Sequence, residues 1–419
     1  MKQLAPGQRI DIEQLRAFLA DGLADFGRSG ENVLAVVPDD TRTVPMDVIF
    51  DALCAEVAPR VERLTVLVAL GTHPPMTADA LSAHLGAGWS ERGNVRVVQH
   101  DWQDPEALRL VEAVSASEMG EISGGLLVED VPVRIHRLAL ESDRILIVNP
   151  VFPHEVVGFS GGHKYFFPGI AGAEILDASH WLGALITNPK VNGHTETPVR
   201  ALIEQAADRI DTPRMGFSLV MRGHDPVGLF VGAVREAWAE AAELSAETNI
   251  RWVDRAYHTV LSIAPPMYRE LWTAGKCMYK LEPVVADGGR LIIVAPHLSE
   301  ISPTHGEWIR RVGYHTRDVF LAEPARYAEV PRAILAHSTH VKGIGTFVDG
   351  VERPRIEVVL ATDIPENVCT EINLGYMDAA TIQVEAYGGR EEEGILVVPN
   401  AGEMLYRLSD GTVPDIDRL

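Results

Sequence analysis

Two α/β domains with mostly parallel sheets and a cleft between them are what three features of this sequence predict. The first is a set of short, unbroken apolar runs, Val33-Leu34-Ala35-Val36-Val37, residues 64–70 and Ile145-Leu146-Ile147-Val148, each leading into turn residues. Runs without polar alternation fit strands covered on both faces, as in parallel sheets. The second is the alternation of such runs with amphipathic helical stretches, for example residues 48–57 and 199–210. That order is the signature of βαβ units. The third is the length, 419 residues, which exceeds what one core usually organises.

Taken in chain order, residues 33–37 run into Asp39-Asp40-Thr41-Arg42, and residues 64–70 run into Gly71-Thr72-His73-Pro74-Pro75. Residues 145–148 lead to His154. Residues 237–247 form a charged, alanine-rich helix that closes a first domain over 1–250. Strands at 259–264, 290–295 and 356–361, with a helix at 271–281, build a second domain over 251–389. A last apolar run, 394–399, is a further strand. No fixed-period repeat or low-complexity tract interrupts this order.

Composition narrows the function classes. A net charge of −22 makes nucleic acid a poor partner, because phosphate binding needs basic patches. No apolar run approaches the ~20 residues that span a bilayer, and the first residues lack a basic stretch followed by an apolar core. The expectation is a cytoplasmic protein with no membrane partner. Cys54, Cys277 and Cys369 are odd in number and far apart, which argues against a disulfide framework and against thiolate metal sites.

Ligands of open α/β sheets bind beyond the carboxyl ends of the strands. Arg42, His73, His154 and Lys164 all fall at such positions. The stretch from His154 to Gly169 sets two histidines and a lysine around Ser160-Gly161-Gly162. Glycines there permit positive φ and close backbone approach to a ligand. A lysine beside such a turn can meet a phosphate or become covalently modified. Histidine can donate or accept a proton near neutrality, so His73 and His154 are acid–base candidates. Most of the other histidines, His337 and His340 among them, stand in no suggestive context and read as surface or core residues. Arginine matches a carboxylate bidentately, which suits Arg42 to an anionic substrate.

These motifs resemble the nickel-pincer lactate racemase family. The resemblance rests on Asp39 to Arg42, on Gly71-Thr72-His73, on the run from His154 to Lys164, and on His180 sixteen residues later. It covers residues 30–185 well and the rest more thinly. It implies a racemase or epimerase that inverts C2 of a small anionic 2-hydroxy acid by hydride transfer through a 2-oxo acid. It implies nickel and a pyridinium-3-thioamide-5-thiocarboxylic acid mononucleotide attached covalently to Lys164, loaded by cofactor-synthesis proteins. His180 would be the nickel ligand, with Asp177 one turn earlier as its orienting partner. Asp39, Thr72, Ser160, Gly161 and Gly162 would line the cofactor. His73 and His154 would exchange protons with substrate, and Arg42, Lys276 and Thr273 would bind it. The C-terminal segment, 390–419, would return to the first domain.

Two departures touch the substrate side. The family carries a glutamine where this chain has Thr273, and a covering tryptophan is absent between about residues 337 and 359. Both point to a substrate larger or more polar than lactate, such as a sugar acid. His297, Ser299, Glu300 and Thr304 could then bind extra hydroxyls. Lactate itself, or a non-catalytic nickel-cofactor carrier, are the alternatives; a carrier has no need of both His73 and His154. An NAD enzyme is disfavoured because Asp39 and Asp40 stand where a glycine-rich phosphate turn belongs. The sequence leaves the oligomeric state open.

Overall fold

Two separate sheets organise the chain in the computed structural model, which describes residues 1–419. The first belongs to a unit made of Met1–Phe152, Phe159–Leu176 and Arg200–Thr248. Its strands are β1 (Lys2–Leu4), β2 (Asn32–Val37), β3 (Arg63–Val68), β4 (Val95–Gln99), β5 (Arg144–Pro150), β6 (Arg214–Arg222) and β7 (Asp225–Gly232). They lie in the order β1-β7-β6-β5-β2-β3-β4. Pairings from β6 across to β4 are parallel, and β7 pairs antiparallel with both β6 and β1. In β2 and β3 only the first residue, Asn32 or Arg63, reaches the surface. The unbroken apolar runs are thus covered on both faces, as predicted.

Helix α1 (Ile12–Leu23) shows how the covering layers form. It starts at a capping box in which the Asp11 carboxylate accepts from Gln14 N–H and the Gln14 side chain accepts from Asp11 N–H. Leu15, Leu19 and Leu23 recur every fourth residue and are buried, so they form one stripe against the core. Cutting such a leucine back to alanine costs about 2–5 kcal/mol.

The second unit comprises Pro153–Gly158, Asp177–Val199 and Asn249–Leu419. Its sheet is entirely parallel, with β8 (Tyr257–Ile263), β9 (Val285–Ala295), β10 (Glu357–Thr362), β11 (Gly375–Tyr376) and β12 (Ile395–Val398) in the order β11-β10-β9-β8-β12. The expected return of residues 390–419 to the first domain does not occur. Ile395, Leu396 and Val398 are buried along the edge of β8, and Leu405–Leu408 pairs with Ile250–Val253.

A second difference concerns the boundary. Residues 1–250 are not one uninterrupted domain, because two segments inside them pack with the second unit. Helix α2 (Ala173–Ile186) carries the chain from one unit to the other. Beyond it, Asn188 Nδ2 donates to Glu282 Oε2 at 3.0 Å and Lys190 pairs with Asp417 at 3.0 Å. Three further helices bear on the site: α3 (Pro198–Ala207), α4 (Val234–Asn249) and α5 (Arg332–Lys342). No helix is long and apolar enough to cross a membrane.

Candidate active site

In the first unit, Asp39 and His73 meet because β2 and β3 are paired neighbours, with Val37 opposite Val68. Asp39 is buried, and its Oδ2 lies 2.6 Å from His73 Nδ1. Its Oδ1 accepts from the Thr41 hydroxyl at 2.7 Å. Burial alone would raise the Asp39 pKa. The charge of His73, its hydrogen bond, nearby Arg42 and the Thr41 hydroxyl together overcome that and hold it well below the carboxylate range. Asp39 is thus placed to orient the histidine. Gly71 takes φ +57° and its N–H donates to Gly169 O at 3.0 Å, which ties this strand-end turn to the lysine loop. Thr72, between Gly71 and His73 in the chain, is partly exposed. Tyr165, also buried, feels the charges of Arg42 and Asp39, and burial pushes its phenol well above the usual value.

The loop after β5 is held by a ring of protein contacts. Ser160 Oγ donates to Pro150 O at 3.1 Å and accepts from Phe152 N–H at 2.9 Å. Asn149 Oδ1, fully buried, accepts from Gly162 N–H at 3.1 Å. Trp238 of α4 donates its indole N–H to Ser160 O at 2.8 Å. Arg200 of α3 lies over the Trp238 ring, its Cζ 4.0 Å from the ring centre, and donates to the carbonyls of Gly161 and Phe159. Gly161 and Gly162 both have positive φ; a Cβ on the first would collide with Asn149 Oδ1, and one on the second would lie 3.0 Å from the Trp238 ring. The close approach that these glycines permit is thus to protein side chains. Ser160, Gly161 and Gly162 shape the loop through their protein contacts. Within Phe159–Pro168, Lys164 is the residue that keeps partial exposure, and every neighbour is buried.

In the second unit, His154 Nδ1 accepts from Val156 N–H at 3.1 Å, with Glu155 Oε2 3.3 Å from the same nitrogen. His180 lies on α2, with the Ser179 hydroxyl 3.3 Å from its Nδ1. Asp177, one turn before His180 on the same helix, accepts from Ala333 N–H at 2.9 Å through its Oδ1, at the start of α5. That satisfies a backbone donor left open by the helix.

Around His180 the structure gathers residues that the sequence did not single out. Trp272 is sandwiched between His337, stacked at 3.7 Å, and His305, tilted at 4.2 Å. Tyr314 Oη is 3.5 Å from His337 Nε2. Burial first, and then the nearby charges of His340, His305 and His180, push the His337 pKa well below the usual imidazole value. Thr273 Oγ1 donates to Glu270 Oε1 at 3.1 Å, while Glu270 Oε2 is buried with no protein partner. Lys276 Nζ lies 4.9 Å from the centre of the Tyr268 ring. His297 Nε2 sits 2.9 Å from Tyr268 O, so that nitrogen is taken by a backbone carbonyl. Only the proximity of Trp272 to Thr273 in the sequence could have pointed to this cluster.

No three His, Cys, Asp or Glu side chains converge where protein alone could hold a metal ion. A lone histidine such as His180 can serve a metal whose other donors come from a non-protein group. Lys164, partly exposed on a buried and tightly held turn, suits the attachment of such a group. The residues present therefore fit a cofactor-borne metal.

Residues 14–192 match the profile of the lactate racemase N-terminal domain. The chain is 26% identical over 289 residues to a lactate racemase of Thermoanaerobacterium thermosaccharolyticum, covering 68% of this chain and 63% of that protein. It is 25% identical over 283 residues to a lactate racemase of Lactiplantibacillus plantarum, covering 66% and 62%. The match thus spans less than two thirds of each of these relatives. A crystal structure of a protein from Thermotoga maritima superposes with a TM-score of 0.88 and 31% identity over 97% of this chain and 100% of that one. The lactate racemase apoprotein from T. thermosaccharolyticum shares the fold, with a TM-score of 0.69 and 20% identity over 93% and 88% of the two chains.

Proposed function

The chain belongs to the lactate racemase family, and on that premise we propose that it is a nickel-pincer-dependent racemase or epimerase of a 2-hydroxy acid. When bound through Lys164, with nickel on His180, the cofactor supplies the acceptor and donor for the C2 hydride. The chain's own residues handle the protons and hold the substrate. Arg42 and Lys276 bind the carboxylate. His73 donates its Nδ1–H to Asp39, which leaves Nε2 bare to take the hydroxyl proton. His154 is the second proton carrier and serves the opposite face of the planar 2-oxo acid. Each direction of the reaction uses both histidines.

The observation that carries this reading is the Asp39–His73 pair. A buried carboxylate 2.6 Å from Nδ1 is the arrangement that fixes an imidazole as a general base. A protein that only carried the cofactor has no use for it. The decisive experiment incubates substrate deuterated at C2 in ordinary water with nickel-loaded protein. Inversion with the label retained at C2 is expected; wash-out of the label in step with inversion overturns hydride transfer.

The substrate we propose is more polar than lactate, with a sugar acid as the leading class. Thr273 and Glu270 support this reading. Thr273 is shorter than glutamine, and its hydroxyl is bound to Glu270, whose other carboxylate oxygen has no protein partner. A substrate hydroxyl is a natural donor to that oxygen, and a site built this way discriminates against substrates that lack the hydroxyl.

A further inference from the structure

The sequence sets two histidines beside Lys164, and the chemistry above uses His154 alone. His163 has a different position. Its ring is 3% exposed, with Nδ1 2.6 Å from Glu204 Oε2 and Nε2 2.9 Å from Arg214 Nε. An ionised carboxylate can only accept a hydrogen bond, and a guanidinium can only donate one. Nδ1 must therefore carry the proton, and Nε2 must be bare. The ring is neutral, in a single tautomer set by its two partners. Burial agrees with this: it lowers the His163 pKa, and the charges of Arg214 and Arg235 add to that against the pull of Glu204.

Both partners are themselves fixed. Glu204 lies on α3 and accepts from Arg235 Nε at 2.7 Å. Burial would raise its pKa, but the hydrogen bonds from His163 and Arg235 and the charge of Arg200 hold it below the usual carboxylate value. Arg214, at the start of β6, donates to Ala207 O at 2.8 Å and to Thr212 O at 3.3 Å. Other side chains bond to the backbone of Phe159, Ser160, Gly161 and Gly162, all of which precede the lysine. His163 is the anchor immediately next to it, in the short turn Gly162–Tyr165.

We propose that His163 is a positioning residue for Lys164: its ring, hydrogen-bonded at both ends, fixes the turn that carries the lysine. This inference rests on the reading of Lys164 as the attachment residue. Glutamine can copy both bonds, donating to Glu204 from its amide nitrogen and accepting from Arg214 through its carbonyl. Leucine can make neither.

The test compares wild type, His163→Gln and His163→Leu, each produced in a cofactor-making host. Intact mass gives the fraction of chains with an adduct on Lys164, elemental analysis gives nickel per chain, and thermal melting reports the fold. Adduct and nickel should fall about tenfold in the folded leucine variant, the scale of a buried donor and acceptor left unpaired. The glutamine variant should stay within about threefold of wild type, since both bonds are kept. A leucine variant loaded like wild type overturns the inference, and so does a glutamine variant that fails as badly as leucine. If the leucine chain does not fold, the glutamine variant decides alone by the same thresholds. A wild-type protein with nickel-dependent activity and no adduct on Lys164 sinks the attachment reading instead, which keeps the two failures distinct.

Discussion

Asp39 Oδ2 and His73 Nδ1 lie 2.6 Å apart although 34 residues separate them in the chain. The parallel pairing of β2 with β3 brings their carboxyl ends together, and the turns that follow do the rest. Replacing Asp39 with Asn keeps the volume but offers an amide that can donate to Nδ1 and so protonate Nε2 instead. Turnover by Asp39→Asn should fall about 10²-fold, the upper range for losing an orienting partner. A variant within threefold of wild-type kcat would remove Asp39 from the proton-transfer machinery.

The same carboxylate sets a pH dependence of stability. Its folded pKa is depressed, so its contribution is present above the unfolded value of about 3.9 and is lost as pH falls through the folded value. The stability gap between wild type and Asp39→Asn should hold steady from about pH 5 to 8 and shrink below about pH 4. Urea melts across that range measure it. A gap unchanged at low pH would mean that the carboxylate charge contributes nothing.

Lys164→Ala should abolish the covalent adduct, nickel binding and turnover together, while leaving the melting temperature close to wild type. Lys164 lies in a short turn, Gly162–Tyr165, rather than in a sheet or a long helix, so the folded state should survive the change. His180→Ala should separate two of these readouts: the Lys164 adduct persists and nickel is lost. Retention of full nickel by that variant would move the metal ligand elsewhere.

His73→Ala and His154→Ala should each reduce turnover from both enantiomers by ~10²-fold or more, the scale of a lost general acid or base. Progress curves from each pure enantiomer, followed by optical rotation, provide the measurement. A single variant that keeps full speed from one enantiomer contradicts the shared use of the two residues.

Glu270→Ala should lower kcat/KM for a polyhydroxy acid such as gluconate by about tenfold, as expected when a substrate hydroxyl loses its acceptor, with little change for lactate. Proportional losses on both would mean that Glu270 only supports Thr273. Lactate as the better substrate of the wild-type protein would restore the simple lactate racemase reading.

Much of this was legible locally. The apolar runs that became β2, β3 and β5 identified themselves by having no polar alternation, and two of the polar residues just beyond them, Asp39 and His73, meet in the structure. Distant contacts were hidden. Nothing near His163 announces Glu204 or Arg214, which lie 41 and 51 residues away. Trp272 and His337 meet only once α5 has packed in place. Gly161 and Gly162 looked like a ligand cradle because a sequence cannot say whether the space beside a glycine holds a ligand or, as here, Asn149 and Trp238. The edge taken by Ile395–Val398 was equally unreadable, since an apolar strand suits any open parallel edge of similar character.

The interleaving of the two units has a consequence for synthesis on the ribosome. By the time residue 250 has been made, every strand of the first sheet exists. His154 and His180, however, belong to segments whose partners come later: Lys280 for Pro153, Ala333 for Asp177, Glu282 for Asn188, Asp417 for Lys190. A nascent or truncated chain ending near residue 250 would carry Lys164 on a finished scaffold and His180, the proposed nickel ligand, on an unfinished one. On the reading of His180 as the nickel ligand, competence to take up the metal should arrive only after residues 282–417 have left the exit tunnel, and fragments cut near residue 250 should be unable to acquire it.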